Sequence, residues 1–174
     1  SAFHLQVLLM RFPNWVNRDY SVVRRSIEFS RPMLNEYSPD GIRLRATGVF
    51  PKGTESAPDY RFFLHLEWDK SLPSPGFVSM NPSKAMRAPD YSHKLDGTIE
   101  ILVCWALMRA GAGSVSVVNC LPVYAPDLSL ATNRLAFAEE NLKFLDLLGR
   151  DPNRDIYVAW GAENKLYREA ARTA

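Results

Sequence analysis

The sequence predicts an α/β fold, a three-layer αβα sandwich with a mainly parallel central sheet and an added antiparallel hairpin. Three observations carry this prediction. From Gly76 onward, strand-like runs alternate with helical ones, the pattern of right-handed crossovers onto a parallel sheet. Ahead of that point, two runs alternate apolar and polar residues with period two across a connector rich in Pro, Gly and Ser, which marks a hairpin with a long loop. A chain of 174 residues that is 47% hydrophobic supports one full core and is too short for two comfortable ones.

Residues 1–10 contain a short apolar run that periodicity alone does not assign; it is taken as a strand. The run lacks a basic leader and a small-residue cleavage pattern, and no apolar stretch approaches the roughly 20 residues that cross a bilayer. The expectation is a cytoplasmic protein with no membrane partner. From Asn17 or Asp19, the residues Tyr20, Val23, Ile27 and Phe29 recur near helical spacing until Pro32, which predicts a short amphipathic helix. Residues 35–41 have turn chemistry. Residues 42–50 and 60–68 form the two hairpin runs, and their alternation predicts one wet face. Residues 70–75 break the chain before residues 77–80, a buried strand stopped by Asn81 and Pro82 because proline has no N–H for a ladder.

A strongly apolar helix follows over residues 98–110, with Gly111-Ala112-Gly113 as its C-terminal turn. Residues 114–119 read as the second parallel strand. Residues 133–148 read as an amphipathic helix with Leu135, Ala138, Leu142 and Leu145 on the apolar face and Gly149 as its stop. The third parallel strand spans residues 155–160, and a last helix spans 162–172.

Composition excludes little. The net charge of +2 and a pI near 8.6 neither require a nucleic-acid partner nor argue against one. Cys104 and Cys120 each lie in an apolar run without Cys-x-x-Cys spacing, so they read as reduced core residues of an intracellular protein. His65 and Glu67 share a strand face, but no third ligand is spaced to complete a metal site, so the pair reads as a surface contact and no metal is expected. Ser83 has no nucleophile elbow, and no Gly-x-Gly-x-x-Gly or P-loop pattern occurs. Arg24, Arg25, Arg43, Arg45, Lys84 and Arg87 have two readings, a phosphate footprint or scattered solvated charges, and the second is the default.

In an open parallel sheet, ligands sit in the crevice beyond the carboxyl ends of the strands. The three predicted strands end in Asn81-Pro82-Ser83, in Asn119 and in Trp160-Gly161. Each has an ordinary structural explanation as a turn, cap or core residue; together they put two amides, a hydroxyl and an aromatic ring at one edge. Amides offer both donors and acceptors without charge, which suits a nucleobase edge better than bare phosphate. Lys84 and the helix start after Ser83 suit an anion. Asp96 or Thr98 is by default the N-cap of the next helix. If Asp96 faces the crevice, it is the candidate general base, since an amide can orient water but cannot accept its proton.

These residues also carry a resemblance. Tyr60-Arg61, Trp68-Asp69, the run from Phe77 to Ala85, Asp96-Gly97-Thr98-Ile99, Val117-Val118-Asn119, Glu140-Asn141 and Ala159-Trp160-Gly161 resemble an uncharacterised domain-of-unknown-function family of bacteria and phages. Its signature is of the type L-N-P-S-x-A, D-D-P-T-I, V-V-N and A-W-G. The resemblance implies an N-terminal extension over residues 1–55, packed on the same domain, and a family domain over residues 56–174. More distantly, the set is similar to the uracil-DNA glycosylase superfamily, which implies a glycosylase-like fold.

In that superfamily an Asn-Pro motif positions the attacking water, a second strand-end Asn reads the base, and a Trp-Gly follows a third strand. Both families typically continue to a His-Pro motif past the Trp-Gly helix, which is missing here either by truncation of the domain or by real loss, and Leu95-Asp96-Gly97-Thr98 departs from Asp-Asp-Pro-Thr. The expectation is a protein that binds or hydrolyses a nucleobase or nucleotide, free or in DNA, without a cofactor. Asn81 and Asp96 would be catalytic, with Pro82, Ser83, Lys84, Thr98, Asn119, Trp160 and Gly161 lining the site. The alternative is a non-catalytic module that keeps the fold and binds nucleic acid or protein.

Overall fold

The structure is a computed structural model that describes residues 12–34, 40–54, 59–87, 93–124 and 136–159. The strand expected over 1–10, the turn over 35–39, the helix over 162–172, and Trp160 and Gly161 lie outside the described residues. The described elements are α1 (Asn14–Asp19), β1 (Tyr20–Phe29), a single 3₁₀ turn (Pro32–Leu34), β2 (Ile42–Pro51), β3 (Phe63–Glu67), β4 (Gly76–Ser79), α2 (Gly97–Ala110), β5 (Ser114–Asn119), α3 (Ala138–Gly149) and β6 (Ile156–Ala159). Among the described residues the fold is mixed α/β, with three helices and an open six-stranded sheet in the order β1-β2-β3-β5-β4-β6.

Among the described strands, β1, β2, β3 and β5 pair antiparallel in turn, while β5, β4 and β6 run parallel. Three of these five pairings are antiparallel, so the described sheet is mixed rather than mainly parallel. The cause is β1. Residues 20–29 form a ten-residue edge strand, not the helix that Tyr20, Val23, Ile27 and Phe29 suggest. Pairing runs unbroken from Tyr20 against Pro51 to Phe29 against Ile42. Val22, Val23 and Ile27 are β-branched and suit that ladder better than a helix, so long-range pairing overrides the local spacing. Only the preceding turn, α1, is helical, and it ends where Tyr20 becomes extended.

Successive strand residues project to opposite faces, and two apolar clusters follow that alternation. One joins Leu44, Ala46, Leu64, Leu66, Val115 and Val117 to Ile99, Leu102, Val103 and Ala106 of α2. The other joins Val49, Phe63 and Val118 to Val16 and Tyr20 and to Phe144 and Leu148 of α3. β3 is buried on both faces, so the wet face expected of the hairpin is confined to Arg43 and Arg45 of β2 and the edge strand.

The caps of α2 are as the residue types suggest. Asp96 accepts from the Ile99 N–H at 3.1 Å, and Gly111 closes the helix at φ 56°, where a side chain would be strained. α3 differs from expectation. Its described helix begins at Ala138, and its buried side chains are Asn141, Phe144 and Leu148, with Leu142 exposed. Phe144 sets that orientation by stacking on Phe62 (5.2 Å between centroids, 9° between planes) and meeting Tyr20 edge-on at 5.0 Å. Cys104 and Cys120 are free and buried, and burial pushes the Cys120 thiol up to about 11. No described helix is long and apolar enough to cross a membrane.

Candidate functional site

The parallel strands end level with one another. Ser79 of β4 pairs with Asn119 of β5 on one side and with Ala159 of β6 on the other. The β4 and β5 chains stay together past their ends, with Cys120 N–H donating to Ser79 O at 2.7 Å and Leu121 N–H to Met80 O at 2.9 Å. They then part. The chain after β4 leads to α2, whose side chains join the first apolar cluster, and the chain after β5 leads to α3, whose side chains join the second. Neighbouring parallel strands whose connections leave toward opposite faces define a topological switch point, where open α/β sheets hold ligands. Asn81 and Asn119 flank that point.

Asn119 is buried, and its main-chain carbonyl, rather than its side-chain amide, accepts from Asn141 Nδ2 at 2.6 Å. The same Asn141 nitrogen reaches Cys120 O at 3.2 Å. A polar residue faces inward on α3 because the carbonyls at the end of β5 have run out of ladder donors and need one in the core.

The loop after β4 is held from three sides. Pro82 is buried and Asn81 half-buried. The Arg61 guanidinium, only 1% exposed, donates from Nη1 to Ala85 O at 2.5 Å and more weakly to Ser83 O at 3.4 Å. The Tyr124 hydroxyl donates to the same Ala85 oxygen at 3.3 Å, and its ring lies 5.5 Å from the Arg61 guanidinium carbon and 5.1 Å from that of Arg87. Burial pushes the Tyr124 phenol up, partly countered by Arg61, so it remains a neutral donor. Asp96 holds the far end, its Oδ2 accepting from Ala85 N–H at 3.3 Å while Oδ1 caps α2. Just past these anchors, a turn closed by Arg87 N–H donating to Lys84 O at 2.8 Å puts Met86 at φ 62°, a strained conformation for a side chain.

Three polar groups in and against this loop are buried without a hydrogen-bond partner among the described residues: Arg61 Nε, Arg61 Nη2 and Ser83 Oγ. Such groups are costly to leave unpaired, and their concentration in one loop marks it as unlike an ordinary strand-to-helix connection. Among the described residues, no group of three or more His, Cys, Asp or Glu side chains is placed to hold a metal ion.

The structure brings Asn81, Pro82, Ser83 and Asn119 together at two adjacent strand ends, with Asp96 joined to them through Ala85. Lys84 and Thr98 are exposed. Trp160 and Gly161, the expected third wall, follow Ala159 outside the described residues. Sequence reasoning gave no role to Arg61, Tyr124 or Asn141. An arginine leading into the apolar Phe62-Phe63-Leu64 was a readable signal of a buried charge, whereas Tyr124 reaches the loop only through the fold.

A family model described as a protein of unknown function (DUF1643) matches residues 61–174. No curated protein and no solved structure matches the chain.

Proposed function

The chain belongs to the DUF1643 family of proteins of unknown function, and on that premise we propose that it is a glycosylase-like protein, of three-layer αβα architecture, that binds a nucleotide, free or in DNA, by its nucleobase and hydrolyses the N-glycosidic bond. The observation that carries this reading is the delivery of Asn81 and Asn119 to one switch point by two adjacent parallel strands. In it, the Asn119 amide hydrogen-bonds the edge of the base, and Asn81 orients a water toward the sugar carbon. The water oxygen forms the new bond to that carbon as the base departs with the electron pair of the broken C–N bond. Asp96 takes the proton released by the water, and the base collects a proton from solvent. Ser83 and Lys84 suit the phosphate of a nucleotide, and Trp160 with Gly161 supplies the remaining wall. A substrate within DNA enters this pocket as a flipped-out nucleotide.

A specific observation favours a second reading, a non-catalytic module that binds the same ligand. Both Asp96 oxygens already accept backbone N–H groups, which makes the residue a structural clamp. One experiment separates the two. The protein is incubated with uracil-containing, hypoxanthine-containing and mismatched oligonucleotides, and abasic sites are counted. Hydrolysis requires abasic sites from the wild type and a loss of about a hundredfold in Asn81→Ala, the scale of effect when a reactant is no longer positioned. Binding without abasic sites, weakened by Asn119→Ala, supports the module. Neither cleavage nor binding of a base, nucleotide or oligonucleotide overturns both.

A further inference from the structure

Away from the strand ends, the face of the sheet that carries the α3 cluster changes character in four strands at once. Two residues on from Val22, Val49, Phe63 and Val118 stand Arg24, Thr47, His65 and Ser116, and two further stand Ser26, Arg45, Glu67 and Ser114. The register makes these neighbours: Arg24 opposes Thr47, Thr47 opposes His65, and His65 opposes Ser116, while Ser26, Arg45, Glu67 and Ser114 form the next row. A groove of about 460 Å³ opens over this patch, lined by residues that include Arg24, Ser26, Arg45, Thr47, His65 and Glu67. It lies toward the amino ends of the parallel strands, since Glu67 pairs with Ser114 at the start of β5 and Asn119 ends that strand.

His65 is 7% exposed. Its Nδ1 is 3.0 Å from Ser116 Oγ, while its buried Nε2 has no hydrogen-bond partner among the described residues and stands 3.9 Å from Glu67 Oε2. Glu67 is ion-paired with Arg45, and Arg24 and Arg25 also line the groove, so its lining holds three arginines and one carboxylate. The Arg24 guanidinium is exposed and has no partner among the described residues. The surplus positive charge repels a cation. A serine-hydrolase relay through Glu67, His65 and Ser116 fails on access, because Ser116 is fully buried. What remains unmet is negative charge with acceptor oxygens, which guanidinium groups and an imidazole N–H bind in common.

We propose that this groove is an oxyanion site for a phosphate group carried by a phosphoester, with Arg24 and Arg45 as its charged clamp and His65 Nε2 as a further donor. The site is independent of the strand-end crevice. The full chain is titrated with sodium pyrophosphate by calorimetry at low ionic strength. Saturable binding is expected, weakened about tenfold or more in Arg24→Gln, the loss that follows removal of a hydrogen bond to a charged group. Arg43→Gln removes the same charge from a residue that does not line the groove and that pairs with Glu28, and it is expected to retain binding.

Asn119→Ala is also expected to retain pyrophosphate binding, which separates this site from the proposed base pocket. Displacement of pyrophosphate by a short oligodeoxythymidylate assigns the phosphate to a nucleic-acid backbone, and failure to displace it assigns a small phosphoester; both support the site. No saturable binding, or equal losses in Arg24→Gln and Arg43→Gln, overturns the proposal. Arg24 is exposed and unpaired, so its replacement tests the groove without endangering the fold.

Discussion

Asn141 shows how a residue can be placed by a need that no hydrophobic pattern records. Its side chain is 1% exposed on the inner face of α3, because two carbonyls at the end of β5 require a donor there. Asn141→Ala removes both bonds and leaves Asn119 O and Cys120 O unpaired in the core. It is expected to lower stability by about 1–3 kcal/mol in urea denaturation. The same change frees the strand end that holds Asn119, and on the proposed function it is expected to weaken nucleotide binding at the crevice. Periodicity selected Leu135, Ala138, Leu142 and Leu145 as the apolar face because it counts hydrophobicity alone, and that choice points about a quarter-turn from the face Phe144 and Asn141 define. Asn81, Asp96 and Asn119 were legible for a different reason: each stops or caps an element, and such positions announce themselves by residue type. Arg61 and Tyr124 were not, since they act on the Asn81 loop from segments distant in sequence.

At the level of elements, the sequence was clearest where punctuation and pattern agreed. α2 begins after Asp96 and is capped by Gly111, β3, β5 and β6 fall within the expected runs, and β2 and β4 match theirs to within one residue at either end. β1 was misread because Tyr20, Val23 and Ile27 satisfy a helical spacing by chance while Ile27 and Phe29 alternate properly with exposed Ser26 and Glu28. A strand is specified by its partner, and the partner, β2, lies beyond a turn. The joint between α2 and β5 depends on Gly113, whose carbonyl accepts from both Trp68 N–H and Asp69 N–H at 2.9 and 2.8 Å. A Cβ added there would stand 1.7 Å from Asp69 O, a backbone atom that cannot swing aside. Gly113→Ala is therefore expected to cost at least about 1–3 kcal/mol, the range for forced overpacking, read as a lower denaturation midpoint.

For the molecule as a whole, local grammar revealed the parallel half and concealed the strand order, because the order is set by which edges meet and not by any one segment. Glu67 is tied to the neighbours that hold the two halves together, through Arg45 on β2 and beside His65, which contacts Ser116 on β5. Its carboxyl is held below the ordinary range by His65 and, secondarily, by Arg45, against the opposing effect of burial. A carboxylate with a depressed folded-state pKa stabilises the fold above its unfolded value, about 4.3 for Glu, and that stability is lost as pH falls through the folded value. Urea midpoints measured from pH 6 down to about pH 3 are expected to fall less steeply in Glu67→Gln than in the wild type.

The strand order also governs events in time. β3 and β4 are joined by the short segment of residues 68–75, yet they are not neighbours, because β5 lies between them. A growing chain completes β4 forty residues before it completes β5 at Asn119. Until then, one edge of β3 stands unpaired and β4 has no strand partner, since both of its neighbours, β5 and β6, follow it in the chain. Chaperone capture and edge-to-edge aggregation therefore have a window that β5 narrows at Asn119 and that closes on the second edge of β4 only when β6 is made at Ala159.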